Sequence, residues 1–175
     1  MEHFTIDSPL PLPDAVSSDA FRAAMRQIAG TVSVVTTGRG ADRTGFAATS
    51  VASLAVDPPS LLVCLDRGSS SWPVLRRSQS FCVNVLGEEQ SAIADRFAGR
   101  GGLRGAERYG EADWRELETG TPALADALVA FDCVLEEAIE RHSHAILIGR
   151  VVAVATRPGG LPLLYRHGSY RRLER

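Results

Sequence analysis

Two hydrophobic periods divide the chain near residue 30. Ahead of it, Asp19 can cap a helix running through DAFRAAMRQIA, in which Phe21, Ala24, Met25 and Ile28 make one apolar stripe before Gly30 stops it. Such a stripe predicts a helix lying against a sheet. From Thr31 onward the pattern is that of β-structure: TVSVVTT, TGFAATSVASLAV, SLLVCLD and SFCVNVL, separated by the turn residues GRGAD, DPP and RGSSS. Four strands in about sixty residues is the spacing of a barrel. TGFAATSVASLAV and SHAILIGRVVAVATR run well past the usual five or six residues or so, which predicts strands curving around a closed or nearly closed barrel that protects their edges.

Two short helices interrupt the strands. One lies around WPVLRRS with Pro73 in its first turn. The other is EEQSAIADRFA, with Glu88 and Glu89 at the positive end of the helix dipole and Ile93, Ala94 and Phe97 on its inner face. Residues 99–121, rich in glycine and charge, read as a long loop anchored by Trp114. ALVAFDCVLEEAIE, SHAILIGRVVAVATR and LPLLYRHGSYRR then return to strands. Pro9, Pro11 and Pro13 make residues 1–18 an extended tail. Residues 19–175 are left as one mainly β domain with a few short helices.

Composition narrows the class. With 175 residues, 45% hydrophobic and 23% charged, the chain suits one domain with one sizeable core. Its 19 basic and 21 acidic residues are scattered, for a net charge of −2, so no basic face is expected for nucleic acid or anionic lipid. All the basic residues are Arg, which carries no functional weight. The expected partner is a small molecule or another protein. Cys64, Cys82 and Cys133 lie in apolar strand-like runs without CxxC spacing and read as reduced core thiols. No run approaches the roughly 20 apolar residues of a membrane span. MEHFTIDSPLPLP also lacks the basic start and apolar core of a secretory signal, so a cytoplasmic location is expected.

Several chemistries lack their motif. There is no GxxxxGK[ST], no GxGxxG between strand and helix, and no GxSxG. His142 and His144 share a face if both lie on a strand, but no third ligand joins them, and no metal site is expected. The more informative stretch runs from Gly45 to Ser71. In GFAATSVAS, small residues stand where a buried strand would carry branched ones. Ala47, Ala48, Thr49, Ser50 and Ser53 can present amides and hydroxyls to a flat polar ligand. The alternative is a strand packed closely on the N-terminal helix, and spacing alone does not separate the two readings. Farther on, Asp66-Arg67-Gly68-Ser69-Ser70-Ser71 enters a helix near Trp72. Free amides and hydroxyls there suit a phosphate, with Arg67 or Arg96 as countercharge; an ordinary serine N-cap is the plainer reading.

These residues together carry a resemblance. GFAATSVASLAVDPPSLLVCLDRGSSSWPVL followed by FCVNVLGEEQSAIADRFAG closely resembles the short-chain flavin reductases of two-component flavin monooxygenases. The similarity is greatest to the reductase components of 4-hydroxyphenylacetate hydroxylase and of the pyrimidine-ring-opening oxygenase, and it spans about residues 21–172. It implies a Greek-key-like, FMN-binding split β-barrel that forms a homodimer, reduces FMN or FAD with NADH or NADPH, and supplies reduced flavin to a monooxygenase. A flavin carrier on the same barrel is the alternative.

Carried over, the resemblance puts Arg43, Thr44, Gly45, Phe46, Ala47, Thr49 and Ser50 along the flavin, with backbone contacts from Cys64, Leu65 and Asp66. Ser70 and Ser71 take the phosphate end, and Arg96 and Phe97 close the site. Asn84 is read as structural. On the nicotinamide side, His144 keeps the family's position within His142-Ser143-His144, and Arg166, His167, Gly168, Ser169 and Tyr170 match a second nicotinamide-facing loop. Hydride transfer is chemistry the two cofactors carry themselves, so no acid–base constellation is required of the protein.

Overall fold

The computed structural model of the chain describes residues 14–174, so the expected tail lies largely outside the described residues. The first helix, α1, spans Ser18–Met25. Its N-cap is Ser17, whose side chain accepts from the Ala20 amide at 3.2 Å, while Asp19 sits in the first turn and pairs with Arg22 at 2.8 Å. Asp19 is therefore not the cap. The apolar stripe also meets no sheet: Phe21, Met25 and Ile28 are 58%, 47% and 59% exposed.

The β-rich part begins with β1 (Gly30–Thr31), β2 (Ser33–Thr37), β3 (Thr44–Ala48), β4 (Val51–Val56) and β5 (Pro59–Asp66). Helix α2 (Ser71–Ser78), β6 (Ser80–Val85) and helix α3 (Ser91–Phe97) follow. A short hairpin, β7 (Trp114–Glu116) and β8 (Pro122–Leu124), precedes two 13-residue strands, β9 (Val129–Arg141) and β10 (His144–Thr156). A final hairpin pairs β11 (Leu164–Arg166) with β12 (Ser169–Arg171) and adds to β1.

The largest sheet among the described residues has seven antiparallel strands in the order β3-β2-β6-β9-β10-β5-β4. Its two edge strands are neighbours in sequence. The single long strand expected over TGFAATSVASLAV is in fact two, separated by Thr49 and Ser50. Three Cα–Cα steps reach at most about 11 Å, so the opposite edges of the sheet must curl until they nearly meet. The edges are not paired to each other, which leaves a barrel that is split along one seam. Register shifts in β4 and β10 supply local bends of the kind that tighten such curvature.

Ser50 ties the seam down. Its hydroxyl accepts from the Cys64 amide at 3.3 Å and donates to the Cys64 carbonyl at 3.4 Å, standing in for a ladder rung next to the first β4–β5 pair, Val51–Val63. Inside the barrel, Val35, Val63, Leu65, Leu75, Phe81, Val83 and Leu147 are buried together. On the outer side of β2, Val34, Leu86, Ala94, Phe97, Tyr109 and Leu124 form a second cluster beneath α3. Strand β2 is consequently buried on both faces.

Asn84 and Asp132 are satisfied in this interior, whereas Arg43 Nε is buried without a hydrogen-bond partner. Asn84 donates to the Val34 carbonyl at 3.0 Å and accepts from the Leu124 amide at 2.7 Å, joining β6, β2 and β8, which is a structural role. Asp132 accepts from the Thr119 amide and hydroxyl at 2.7 and 2.6 Å. Helix α3 starts at Ser91, so Glu88 and Glu89 precede it rather than cap it; Glu89 pairs instead with Arg157 at 2.7 Å. The expected loop at 99–121 contains two 3₁₀ turns and the first strand of the β7–β8 hairpin.

Gly149 marks where β10 crosses the core. A Cβ there would overlap the Phe81 ring and stand 3.0 Å from Cys133 Cβ. Gly149→Ala should therefore lower unfolding free energy by about 1–3 kcal/mol through overpacking, measured by urea denaturation; an unchanged midpoint would contradict this packing.

Candidate flavin site

The small residues of β3 serve two purposes at successive positions. A Cβ on Gly45 would lie 2.6 Å from the Val35 carbonyl and 2.8 Å from the Phe97 ring, so this glycine lets α3 rest directly on the strand. The close packing considered for the N-terminal helix is thus made by α3. Beyond Gly45, Phe46, Ala47, Ala48, Thr49 and Ser50 line an open cleft of about 530 Å³. That volume falls within the usual range for small-molecule sites. The run is thus divided between packing at Gly45 and cleft lining by the four residues from Ala47.

The cleft lies along the split. Cys64, Leu65 and Asp66 of β5 form a second wall, and Phe97, Ala98, Gly99 and Arg108 close it from the α3 side. His144 also lines it. Register places His144 opposite Asp66 in the β10–β5 pair, and its Nδ1 is 2.8 Å from the Ser143 hydroxyl. His142, at φ 50°, occupies the β9–β10 turn and does not share a strand face with His144. Its carbonyl accepts from Arg67, which also pairs with Glu140 at 2.6 Å. Among the described residues, no group of three or more His, Cys, Asp or Glu side chains is placed to hold a metal.

Several expected site residues stand behind the cleft rather than in it. Arg43 lies over the Tyr109 ring at 4.9 Å. Thr44 is buried, its hydroxyl 3.3 Å from that of Ser71 and its carbonyl accepting from Tyr109 Oη at 2.5 Å. Ser53 is exposed on the outer edge strand β4. Arg96 pairs with Glu111 at 2.8 Å. In the serine loop it is Ser69 that reaches the cleft, whereas Ser71 is fully buried and Ser70 is exposed. The loop also spends most of its own amides: Gly68 on Asp66, Ser69 on the Asp66 carbonyl, Ser71 on the Ser69 hydroxyl. Ser69, Ala98, Gly99 and Arg108 are the lining residues that sequence reasoning passed over.

The Arg166–Tyr170 hairpin lies beside this cleft. Arg166, His167 and Gly168 face Met25, Arg26 and Ile28 across a concavity of about 410 Å³ that shares Thr49 and Ser50 with the cleft. His167 and Gly168 make the turn at φ 53° and 79°, and the His167 amide donates to the Arg26 carbonyl. The Ser169 hydroxyl donates to the Arg166 carbonyl at 3.3 Å. Tyr170 donates to Asp95 at 2.6 Å, and its ring borders a smaller apolar recess reaching Ala47 and Thr49. Burial and the Asp95 hydrogen bond both hold its phenol protonated, well above the ordinary tyrosine range.

A split antiparallel barrel with a small-residue cleft along its seam is a scaffold for a flat cofactor. The defining pattern of the flavin reductase like domain matches residues 25–174, and the chain belongs to that family. The FMN reductase (NADH) RutF 2 of Methylorubrum extorquens strain PA1 is 45% identical over 163 residues, 93% of this chain and 94% of its own. Among solved structures, BorF, the flavin reductase component of a bacterial two-component tryptophan halogenase, superposes with a TM-score of 0.82 at 30% identity, over 90% of this chain and 98% of BorF. The NADH:FAD oxidoreductase SgcE6 of Streptomyces globisporus C-1027, in complex with NAD and FAD fragments, gives 0.82 at 26% identity, over 94% and 98%.

The thiols offer a check on the cleft. Cys82 and Cys133 are fully buried; burial, followed by the nearby Asp132 charge, pushes the Cys133 thiol up to about 12, and the same two causes raise Cys82. Cys64 is half-buried and lines the cleft. At pH 8 the native protein should react with an aromatic disulfide reagent at Cys64 alone, and saturating FMN should slow that reaction. Labelling at an undiminished rate would remove flavin from this wall.

Proposed function

We propose that the chain reduces FMN with NADH in the cytoplasm and hands the reduced flavin to a separate flavin-dependent monooxygenase. The carrying observation is the cleft itself: a wall of small residues at the seam, faced by β5 and closed by Phe97, in a chain of the flavin reductase-like family. The names of the relatives support FMN and NADH as the pair and support a two-component system.

The residues present fit a flavin. Ala47 and Ala48 leave the wall flat, Thr49 stands at its border, and Arg108 gives the cleft a cation. When bound, the flavin supplies the redox chemistry by accepting the hydride that the dihydronicotinamide carries. The protein's share is to bind, orient and partly desolvate. Phe97 is held by an edge-on contact to Tyr109 and a tilted one to Trp114, with ring centroids 5.1 and 5.6 Å away, so the closing side is stiff. His144 stands beside Asp66 at the mouth and is positioned to contact the nicotinamide, with the Arg166–Tyr170 hairpin bordering the same approach.

Assembly as a homodimer belongs to this proposal. Leu54 and Val56 on the edge strand β4 are 50% and 91% exposed, Val152 and Val154 on β10 are 39% and 54% exposed, and the α1 stripe is bare as well. Large apolar surface of this kind is uncommon on a monomer. A second copy would cover it by two-fold symmetry.

Steady-state NADH oxidation with excess FMN tests the activity; a rate no higher than the protein-free blank would refute it. His144→Ala should raise KM for NADH severalfold and leave FMN affinity unchanged, whereas an unchanged KM would take His144 out of the site. Sedimentation of the wild type should give twice the chain mass, and Val154→Asp should shift it towards the monomer. A monomeric wild type would overturn the dimer.

A further inference from the structure

His144, the proposed nicotinamide contact, is the last rung of β10 against β5, and it directly follows the two-residue turn His142-Ser143. That turn is poorly suited to hold itself. His142 adopts φ 50° at the first central position, where tight hairpin turns favour glycine because a Cβ is strained there. A histidine in that conformation leaves the turn dependent on bonds from outside it.

Those bonds come from Arg67, the residue after β5. Its amide donates to the Ser143 carbonyl at 2.9 Å, Nη1 donates to the His142 carbonyl at 3.0 Å, and Nη2 pairs with the Glu140 carboxylate at 2.6 Å. One residue thus grips the end of β9 and both positions of the turn. Asp66 fixes Arg67 from behind: its carboxylate accepts from the Gly68 amide at 2.9 Å and its carbonyl from the Ser69 amide at 3.0 Å. Arg67 does not line the cleft, and Glu140 answers its charge, so it serves a task other than the phosphate that the sequence suggested for it. The ion pair alone counts for little, since the two side chains are 39% and 44% exposed. The planar fork matters more, because it meets a carbonyl and a carboxylate at once.

We propose that Arg67 is a positioning residue for hydride transfer: it clamps the β9–β10 turn so that His144 stands at the mouth of the cleft, opposite Asp66, where the dihydronicotinamide arrives. This deepens the flavin reductase reading and rests on it. Arg67 touches neither cofactor. Its effect passes through His144, whose Nδ1 is itself tied to the turn, 2.8 Å from the Ser143 hydroxyl. A ring displaced with its turn no longer meets the nicotinamide in the geometry that transfer requires.

Steady-state kinetics of the wild type, Arg67→Ala, His144→Ala and the double variant test the clamp, with FMN dissociation constants read from flavin fluorescence quenching. Arg67→Ala keeps the amide bond to Ser143, so it should bind FMN as the wild type does, while KM for NADH rises severalfold, by no more than in His144→Ala. In the double variant the two losses should not add, since Arg67 then has nothing to place. Arg67→Lys, which reaches one acceptor at a time, should recover part of the loss. Additive losses would mean that Arg67 meets the dinucleotide itself, and an equal loss of FMN affinity would mean that it only supports the wall; either overturns the proposal. So does a wild-type KM in Arg67→Ala beside a raised KM in His144→Ala. A wild-type KM in His144→Ala would remove the residue being placed, and the clamp with it. A wild type that oxidises no NADH would fail the reductase reading itself, a pattern distinct from all of these.

Discussion

The structure depends on the two residues between β3 and β4. Because Thr49 and Ser50 are all that separate the edge strands of one seven-stranded sheet, the sheet must curl, and the Ser50 hydroxyl fixes the curl by taking both backbone groups of Cys64. The barrel cannot close its ladder at that seam, and the cleft is the space left beside it. Thr49 borders the main cleft, the apolar recess and the concavity under the Arg166–Tyr170 hairpin alike. A single constraint on chain length thus produces the fold's topology and gathers the surfaces on which two cofactors would meet.

Around this seam the polar chemistry is conservative. Asn84 and Asp132 are satisfied by backbone and hydroxyl groups and brace the strands behind the cleft. Hydride exchange is chemistry that the bound groups carry themselves, so the protein's part is to hold them in place. The rigid elements are the ones that matter: Phe97 wedged on Gly45, Tyr109 tied to the Thr44 carbonyl, and Arg108 anchored by Gly45. Three consecutive β3 or turn contacts therefore lock the α3 side onto the same strand that forms the wall.

What could be read from the sequence follows from the range of each interaction. Runs such as SFCVNVL and SHAILIGRVVAVATR announce strands because branched side chains pack on a pleated surface, and β6 and β10 fall where those runs lie. The break inside TGFAATSVASLAV was hidden, since alternation continues across Thr49 and Ser50 while the chain changes sheet edge. The α1 stripe suggested a helix packed on a sheet, whereas in the described chain its large side chains are exposed. In the site, Ala47 to Ser50 and Cys64 to Asp66 were legible because they are contiguous and small or strand-bound. Arg108 was not, because its value comes from the Gly45 carbonyl 63 positions away. Ser71 was misplaced for a related reason: only the fold shows that its hydroxyl turns inward to Thr44.

The crystal structure of the FMN complex would test the central claim most directly. The account predicts the flavin ring system against the wall from Ala47 to Ser50, in the cleft that β5 faces beside the seam, with the chain's Thr49–Ser50 step unmoved. A ring lodged under the Arg166–Tyr170 hairpin or elsewhere, with that wall left bare, would contradict it.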